Sequence, residues 1–246
     1  MEKPPGALFV SKCNGNHRVA IRPWSDGRKL NAAITFGIDW SSTEGSGTNM
    51  VAKPDLWLIR HGETEWTVAR RHTGLTNLPL TTAGEEQARA VGSRLRMASF
   101  ARVFYSQLQR AARTCELAGY GSVAEMDENL VEWDYGDYEG KMRPEILASR
   151  PDWIIFRDGC PNGESPTEVA LRADRVISRV RAVSGDVAIF SSGHFLRVLI
   201  ARWLGLGPSA GRYCKLGTGA ISVLGYDHNN ESEPVIRLLN ERPPGL

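Results

Sequence analysis

Cysteine is scarce in this chain: Cys13, Cys115, Cys160 and Cys214 are the four in 246 residues, and none forms a CxxC pair. That excludes a zinc knuckle and a small disulfide scaffold, and it fits a reducing, cytoplasmic setting. Long apolar runs are also absent. No stretch approaches the about 20 residues that a membrane-spanning helix needs, so no membrane partner is expected. Charge of one sign is not in excess: 30 Lys and Arg face 28 Asp and Glu, for a formal net charge of +2. No general field therefore demands nucleic acid. A charged-then-apolar leader pattern is missing from the N-terminus. Metal-ligand spacings such as HExxH are missing too, so neither a metal nor a cofactor is expected.

The length allows one large domain, or one domain with an appendage. Residues 1–50 are rich in Gly, Ser, Asn and Pro without sustained periodicity, and Ser41-Ser42-Thr43-Glu44-Gly45-Ser46-Gly47 has linker composition. They are expected to form a disordered extension. The alternatives are a true start at Met50, or a targeting peptide carrying Arg18, Arg22, Arg28 and Lys29.

Regular signals begin at Asp55. The apolar run 55–59 predicts a buried strand that stops at Arg60-His61-Gly62. Ala88, Val91, Leu95 and Ala98 make one stripe of a helix over 82–98, with Thr82 and Glu85 as its capping box. Arg102–Tyr105 predicts a second strand, followed by a helix to about Ala118 that Ser106 caps with Gln109. Ser165, Pro166 and Glu168 supply an N-cap, an N1 proline and an N3 carboxylate. The helix they open turns Val169, Ala173, Val176, Ile177 and Val180 inward. Val187–Phe190 predicts a third buried strand, then a helix from His194 to Leu204, and late strands over 219–226 and 234–239. Strands alternating with helices give an α/β fold, a three-layer sandwich with a mostly parallel central sheet. Sites in such sheets assemble beyond the carboxyl ends of strands. His61 and His194 each follow a strand, so distant parts of the chain can deliver them to one cleft.

Arg60-His61-Gly62 combines a cation, a nucleophile and a glycine that lets backbone approach a ligand. A neutral imidazole can attack phosphorus and hold the phosphoryl group covalently. The charge on the transferring group calls for surrounding arginines, which donate bidentately and stay ionised. The run continues through Glu63, Thr64, Glu65, Trp66 and Thr67 to Thr73-Gly74-Leu75-Thr76, then Leu78-Pro79-Leu80-Thr81 and Gly84. Three further segments accompany it: Ser106 to Thr114, Leu130 to Gly140, and Ser191 to Arg197.

Together these four segments resemble the signature of the histidine phosphatase superfamily, also called phosphoglycerate mutase-like, over about residues 55–240. The domain is taken as 51–246. The resemblance implies that His61 is the nucleophile and that Arg60, Arg110 and His194 hold the phosphoryl group. Glu132 would protonate the leaving alkoxide and then activate water. Glu139 is expected to anchor the loop and Arg113 to be a surface residue. Gly193 would lend a backbone N–H, and Arg197 could reach a second anionic group. Thr67, Thr73 and Tyr135 complete the expected substrate contacts, and His72 is placed at the pocket mouth. Segments 132–140, 153–165 and 225–234 are similar to the sedoheptulose-1,7-bisphosphatase branch. This chain departs from that branch in having His72 for tyrosine and a shorter connection between Gly207 and Gly219; many relatives have asparagine where Thr67 stands. The implied activity is hydrolysis of a small sugar phosphate or bisphosphate. The alternatives are a cofactor-dependent phosphoglycerate mutase and a catalytically idle phospho-ligand binding module. His17 and His228 are expected outside the site, and the oligomeric state is left open.

Overall fold

The computed structural model describes residues 53–243. The expectations for residues 1–50, including His17, lie outside the described residues. Six strands form one sheet: β1 (Leu56–Arg60), β2 (Arg102–Tyr105), β3 (Glu125–Met126), β4 (Val187–Ser191), β5 (Ile221–Tyr226) and β6 (Pro234–Glu241). Their spatial order is β3-β2-β4-β1-β5-β6. The first four run parallel, while β5 is antiparallel to β1 and β6 to β5. The helices are α1 (Glu65–Val68), α2 (Thr82–Leu95), α3 (Gln109–Leu117), α4 (Arg143–Ser149), α5 (Ile155–Asp158), α6 (Pro166–Arg181) and α7 (Gly193–Trp203).

The two-residue alternation of a strand divides the core between the faces of the sheet. Leu56, Leu58, Val187 and Ile189 point to one side, where Val169, Ala173, Val176, Ile177 and Val180 of α6 and Phe195, Val198 and Leu199 of α7 cover them. Ile59, Ala188 and Phe190 point to the other, under Val91 and Leu95 of α2 and Cys115 of α3. The central strands are covered on both faces, which is why β4 and β5 are buried along their whole length. Each large side chain buried this way contributes about 1.5–3 kcal/mol. The described cysteines Cys115, Cys160 and Cys214 are free and buried.

Local signals set most boundaries. The Ser165 side chain accepts from Glu168 N, and the Glu168 carboxylate accepts from Ser165 N at 2.8 Å, the expected reciprocal cap. Two expected caps are corrected. α2 is capped by Thr81, whose hydroxyl accepts from Gly84 N at 3.0 Å, while Glu85 binds Arg89 and Arg113 instead of the helix start. α3 begins at Gln109 rather than after Ser106, and its N-cap Leu108 provides no side-chain bond. Its amide is satisfied from outside: Gln109 N donates to Asn77 Oδ1 at 2.8 Å.

Three parallel strands end at one level. Arg60 lies opposite Ser191 in the β1–β4 register, and Tyr105 opposite Phe190 in β2–β4. The next amides extend the ladder, His61 N to Ser191 O and Ser106 N to Phe190 O, both at 3.0 Å. The chain then leaves the sheet in three directions, opening a crevice where the strand order reverses.

Candidate active site

The crevice holds a cavity of about 200 Å³ lined by residues from three of the four motifs, among them Arg60, His61, Glu132, Tyr135, His194 and Arg197; the segment from Ser106 to Thr114 contributes none of its lining. His61 leaves the end of β1 almost fully buried, at 3% exposure. Its Nδ1 donates to Gly62 O at 2.7 Å, which puts the ring proton on Nδ1 and leaves Nε2 with a free lone pair. Burial, and then the cations Arg110 and Arg60, hold the imidazole pKa well below its usual 6.5, so the ring is neutral.

Arg60 is half-buried, and its Nη1 donates to Leu216 O at 2.5 Å. A Cβ at position 193 would sit 3.1 Å from Arg60 Nε, so glycine there lets the guanidinium lie against the first residue of α7. Arg110, on the first turn of α3, has no exposed surface. It binds the carbonyls of Thr76, Thr73 and Gly74 at 2.9, 3.2 and 2.7 Å. The same loop is tied from the other side by Glu139, which accepts from Gly74 N at 2.9 Å and from Thr76 N at 3.2 Å. Desolvation lowers the pKa of both arginines, with Glu132 opposing, yet an arginine remains a cation. The Nε atoms of both are buried without a hydrogen-bond partner among the described residues. Buried donors left open carry a cost, and an anion in the cavity would remove it for Arg60, which lines the cavity.

Glu132 is tethered by the start of α7. Oε1 accepts from Trp133 N at 2.9 Å and Phe195 N at 2.8 Å, whereas Oε2 takes only His194 N at 3.0 Å. Oε2 thus keeps the more open lone pair. The hydroxyl of Tyr135 lies 2.5 Å from His194 Nδ1. Burial pushes that phenol well above 10 and His194 well below 6.5, so both groups are neutral. We assign the hydroxyl as donor, since it has no other partner among the described residues; His194 then carries its proton on Nε2.

A profile of the histidine phosphatase superfamily (branch 1) matches residues 56–241. The chain belongs to this superfamily. It is similar to an acid phosphatase of Mycobacterium tuberculosis, with 38% identity over 193 residues, covering 77% of this chain and 95% of the relative. It is also similar to the sedoheptulose 1,7-bisphosphatase of Saccharomyces cerevisiae, with 31% identity over 249 residues, covering 75% and 92%. A solved structure of an open reading frame from Mycobacterium tuberculosis matches with a TM-score of 0.74 and 37% identity, covering 77% of this chain and 98% of the other. The protein is therefore a phosphatase enzyme with the phosphoglycerate mutase-like fold.

In this histidine phosphatase the residues expected at the site line the cavity with the exception of Arg110, which is buried against the 73–76 loop, and not all of them take part through their side chains. Thr67 lines the cavity, but its hydroxyl caps α1, donating to Thr64 O at 2.8 Å. Thr73 contributes its carbonyl to Arg110, while its own hydroxyl turns to Arg71 O at 3.3 Å. Gly62 is corrected: a Cβ there would meet Gly84 O at 2.3 Å, so its close approach is to the first turn of α2 rather than to a ligand. Glu139 anchors the loop, and Arg113 is an ion-paired surface residue, as expected. His72 forms part of the cavity wall, edge-on to Tyr135 and Trp153. His228 is exposed on the β5–β6 turn, bonded to Glu233 at 2.8 Å. Arg70, Arg71 and Leu216 also line the cavity and were missed. The first two lie three and four residues after Thr67, and a paired-arginine signal could have flagged them; Leu216 carries no such signal. A larger groove of about 830 Å³ beside α2 and α3 holds Arg113, which is already paired with Glu85 and Glu116, so it offers no comparable free charge.

Proposed function

We propose that this phosphatase hydrolyses a small phosphorylated sugar or sugar acid through a phosphohistidine on His61. The observation that carries the reading is the buried, neutral imidazole with Nε2 free, under the field of two arginines whose buried Nε donors have no partner among the described residues. In the first step Nε2 attacks phosphorus, the P–O bond to the sugar breaks, and Glu132 Oε2 passes a proton to the departing oxygen. In the second, water attacks phosphorus, Glu132 takes its proton, and the N–P bond breaks. Guanidinium donors offset the charge on the equatorial oxygens throughout. The names of the relatives, an acid phosphatase and a sugar bisphosphatase, support hydrolysis and a sugar-phosphate substrate.

The test is phosphate release across sugar phosphates, sugar bisphosphates, phosphoglycerates and phosphopeptides, combined with rapid acid-free quenching. Phosphate bound to His61 in an acid-labile, alkali-stable form is expected during turnover. Turnover without that adduct would sink the mechanism, and preference for phosphopeptides would sink the substrate class. Interconversion of phosphoglycerates without loss of phosphate would point to mutase chemistry instead.

The buried imidazoles also predict a pH response. Because His61 stays neutral well below 6.5, kcat/KM for p-nitrophenyl phosphate should show no acidic limb centred near pH 6.5 when scanned over about pH 4 to 8. Stability should behave differently. The pKa values of His61, His72 and His194 are all lowered on folding. Unfolded imidazoles bind protons that the folded ones refuse, so their stabilising contribution is full above about 6.5 and is lost progressively as pH falls toward the folded values. Calorimetry should therefore show Tm falling below pH 6.5 while activity persists. A midpoint of activity loss at 6.5 would contradict the depressed value for His61.

A further inference from the structure

A second cavity of about 360 Å³ adjoins the first and shares His72, His194 and Arg197 with it as a common wall. Its remaining lining includes Arg143, Arg212 and the apolar Trp153, Ile155 and Phe156, and no carboxylate. Arg197 is fixed there. Its Nε and Nη2 donate to Gly211 O at 3.0 Å and Arg212 O at 3.1 Å, and its guanidinium carbon lies 4.4 Å from the Phe156 ring centre. That leaves Nη1 without a partner among the described residues. Arg143 and Arg212 donate no side-chain hydrogen bond and form no ion pair among the described residues. Several arginines elsewhere, including Arg89, Arg172, Arg202 and Arg237, are paired with carboxylates. Three uncompensated guanidiniums around one cavity repel each other, and a bound anion would reverse that cost.

We propose that this second cavity binds a phosphate group, and that the preferred substrate is a small bisphosphate with one phosphate at His61 and the other among Arg143, Arg197 and Arg212. The inference rests on the phosphatase reading of the His61 site and names its substrate class. A phosphate fits better than a carboxylate: it offers three terminal oxygens and a charge near −2, whereas one bidentate arginine satisfies a carboxylate. The link between the phosphates passes two imidazoles that lie nearly parallel, at 11°, with centroids 6.2 Å apart. His72 Nδ1 donates to Lys141 O at 2.8 Å, leaving Nε2 as an acceptor, while His194 offers Nε2–H as a donor. One acceptor and one donor along the passage suit the hydroxyls of a sugar chain. Hydrolysis would release inorganic phosphate and leave a monophosphate still carrying the second group.

The test compares ribulose, fructose and sedoheptulose bisphosphates with their matching monophosphates and with 3-phosphoglycerate, using the full chain and its Arg143→Gln/Arg212→Gln double variant. At least one bisphosphate should exceed its monophosphate in kcat/KM by about ten-fold or more, and the double variant should bring that ratio close to one. Absence of any bisphosphate preference would overturn the proposal. So would a preference that survives in the double variant, equal losses on both substrates, or selection of 3-phosphoglycerate over every bisphosphate. Both arginines are exposed, so the variant should fold with an unchanged Tm. Equilibrium dialysis on His61→Ala, with and without the two glutamine substitutions, separates the two readings. If the wild type turned over no phosphomonoester, the His61 assignment would fall. The second-phosphate site would still be decided: tighter binding of bisphosphate than monophosphate, lost with Arg143 and Arg212, supports it, and equal binding rejects it.

Discussion

His61→Ala should lower kcat by about 10⁴-fold or more while leaving the fold in place. The imidazole is the atom source of the covalent step, so no neighbouring group can repay its loss by better positioning. Arg60, Arg110 and His194 would still bind phosphate, so KM should move far less than kcat. Folding depends on the side chain only weakly. It makes a single side-chain hydrogen bond, to Gly62 O, and it is held off its ordinary pKa by burial and two cations. The cavity left behind and the relief of that unfavourable environment oppose each other, so Tm near neutral pH should shift by no more than about 2–4 °C for each kcal/mol of imbalance. Below pH 6.5 the variant should lose stability less steeply than the wild type, because one proton-refusing imidazole is gone. Single-turnover kinetics and calorimetry on the same preparation check all three statements. Residual activity above about 1% of wild type in a folded variant would remove His61 as the nucleophile.

What could be read from the sequence was what lay close to a strand end. His61, Arg110 and His194 each follow a parallel strand within a few residues, so the alternation of strands and helices already placed them on one edge of the sheet. Ser165 with Glu168 was legible because both halves of the cap lie within one turn. The misread caps show where local signals compete. Thr81 and Thr82 offer equivalent hydroxyls, and Glu85 favoured the wrong one because a surface ion pair with Arg89 and Arg113 claims its carboxylate. Ser106 with Gln109 imitates a capping box, yet Asn77, distant in sequence, binds Gln109 N. Arg143 and Arg212 were invisible for a related reason. They come from α4 and from the short 3-10 helix over 208–213, neither of which carries a motif, and only tertiary packing brings them to Arg197. Gly62 sat inside a motif, but its partner Gly84 is 22 positions away, and nothing local distinguishes packing on a helix from approach to a ligand.

Glu132→Gln should slow hydrolysis of alkyl phosphates by about 10²–10⁴-fold, and should do so unequally in the two half-reactions. A sugar alkoxide leaves poorly unless protonated, so both steps suffer with such substrates. p-Nitrophenolate leaves without help, so phosphorylation of His61 by p-nitrophenyl phosphate should be nearly spared while attack by water still lacks its base. The phosphoenzyme should then accumulate, and rapid quenching should show a near-stoichiometric burst of p-nitrophenolate before a slow steady state. The substitution also has a structural cost. The glutamine carbonyl can replace Oε1 and accept from Trp133 N and Phe195 N, but its NH₂ group would face His194 N–H, donor against donor. Leaving that amide unsatisfied costs about 1–3 kcal/mol and should lower Tm by several degrees. The burst separates the chemical role from this loss, because a merely weakened helix start would slow both half-reactions together. No other carboxylate of the segment can substitute. Asp134 binds Gly136 N at 2.9 Å, Asp137 faces Asn162 at 3.0 Å, and Glu139 holds Gly74 and Thr76, and none of the three lines the cavity. A Glu132→Gln enzyme with normal rates on alkyl phosphates would therefore leave proton transfer without a carrier among the cavity's carboxylates, and the two-step scheme would have to be rebuilt around water alone.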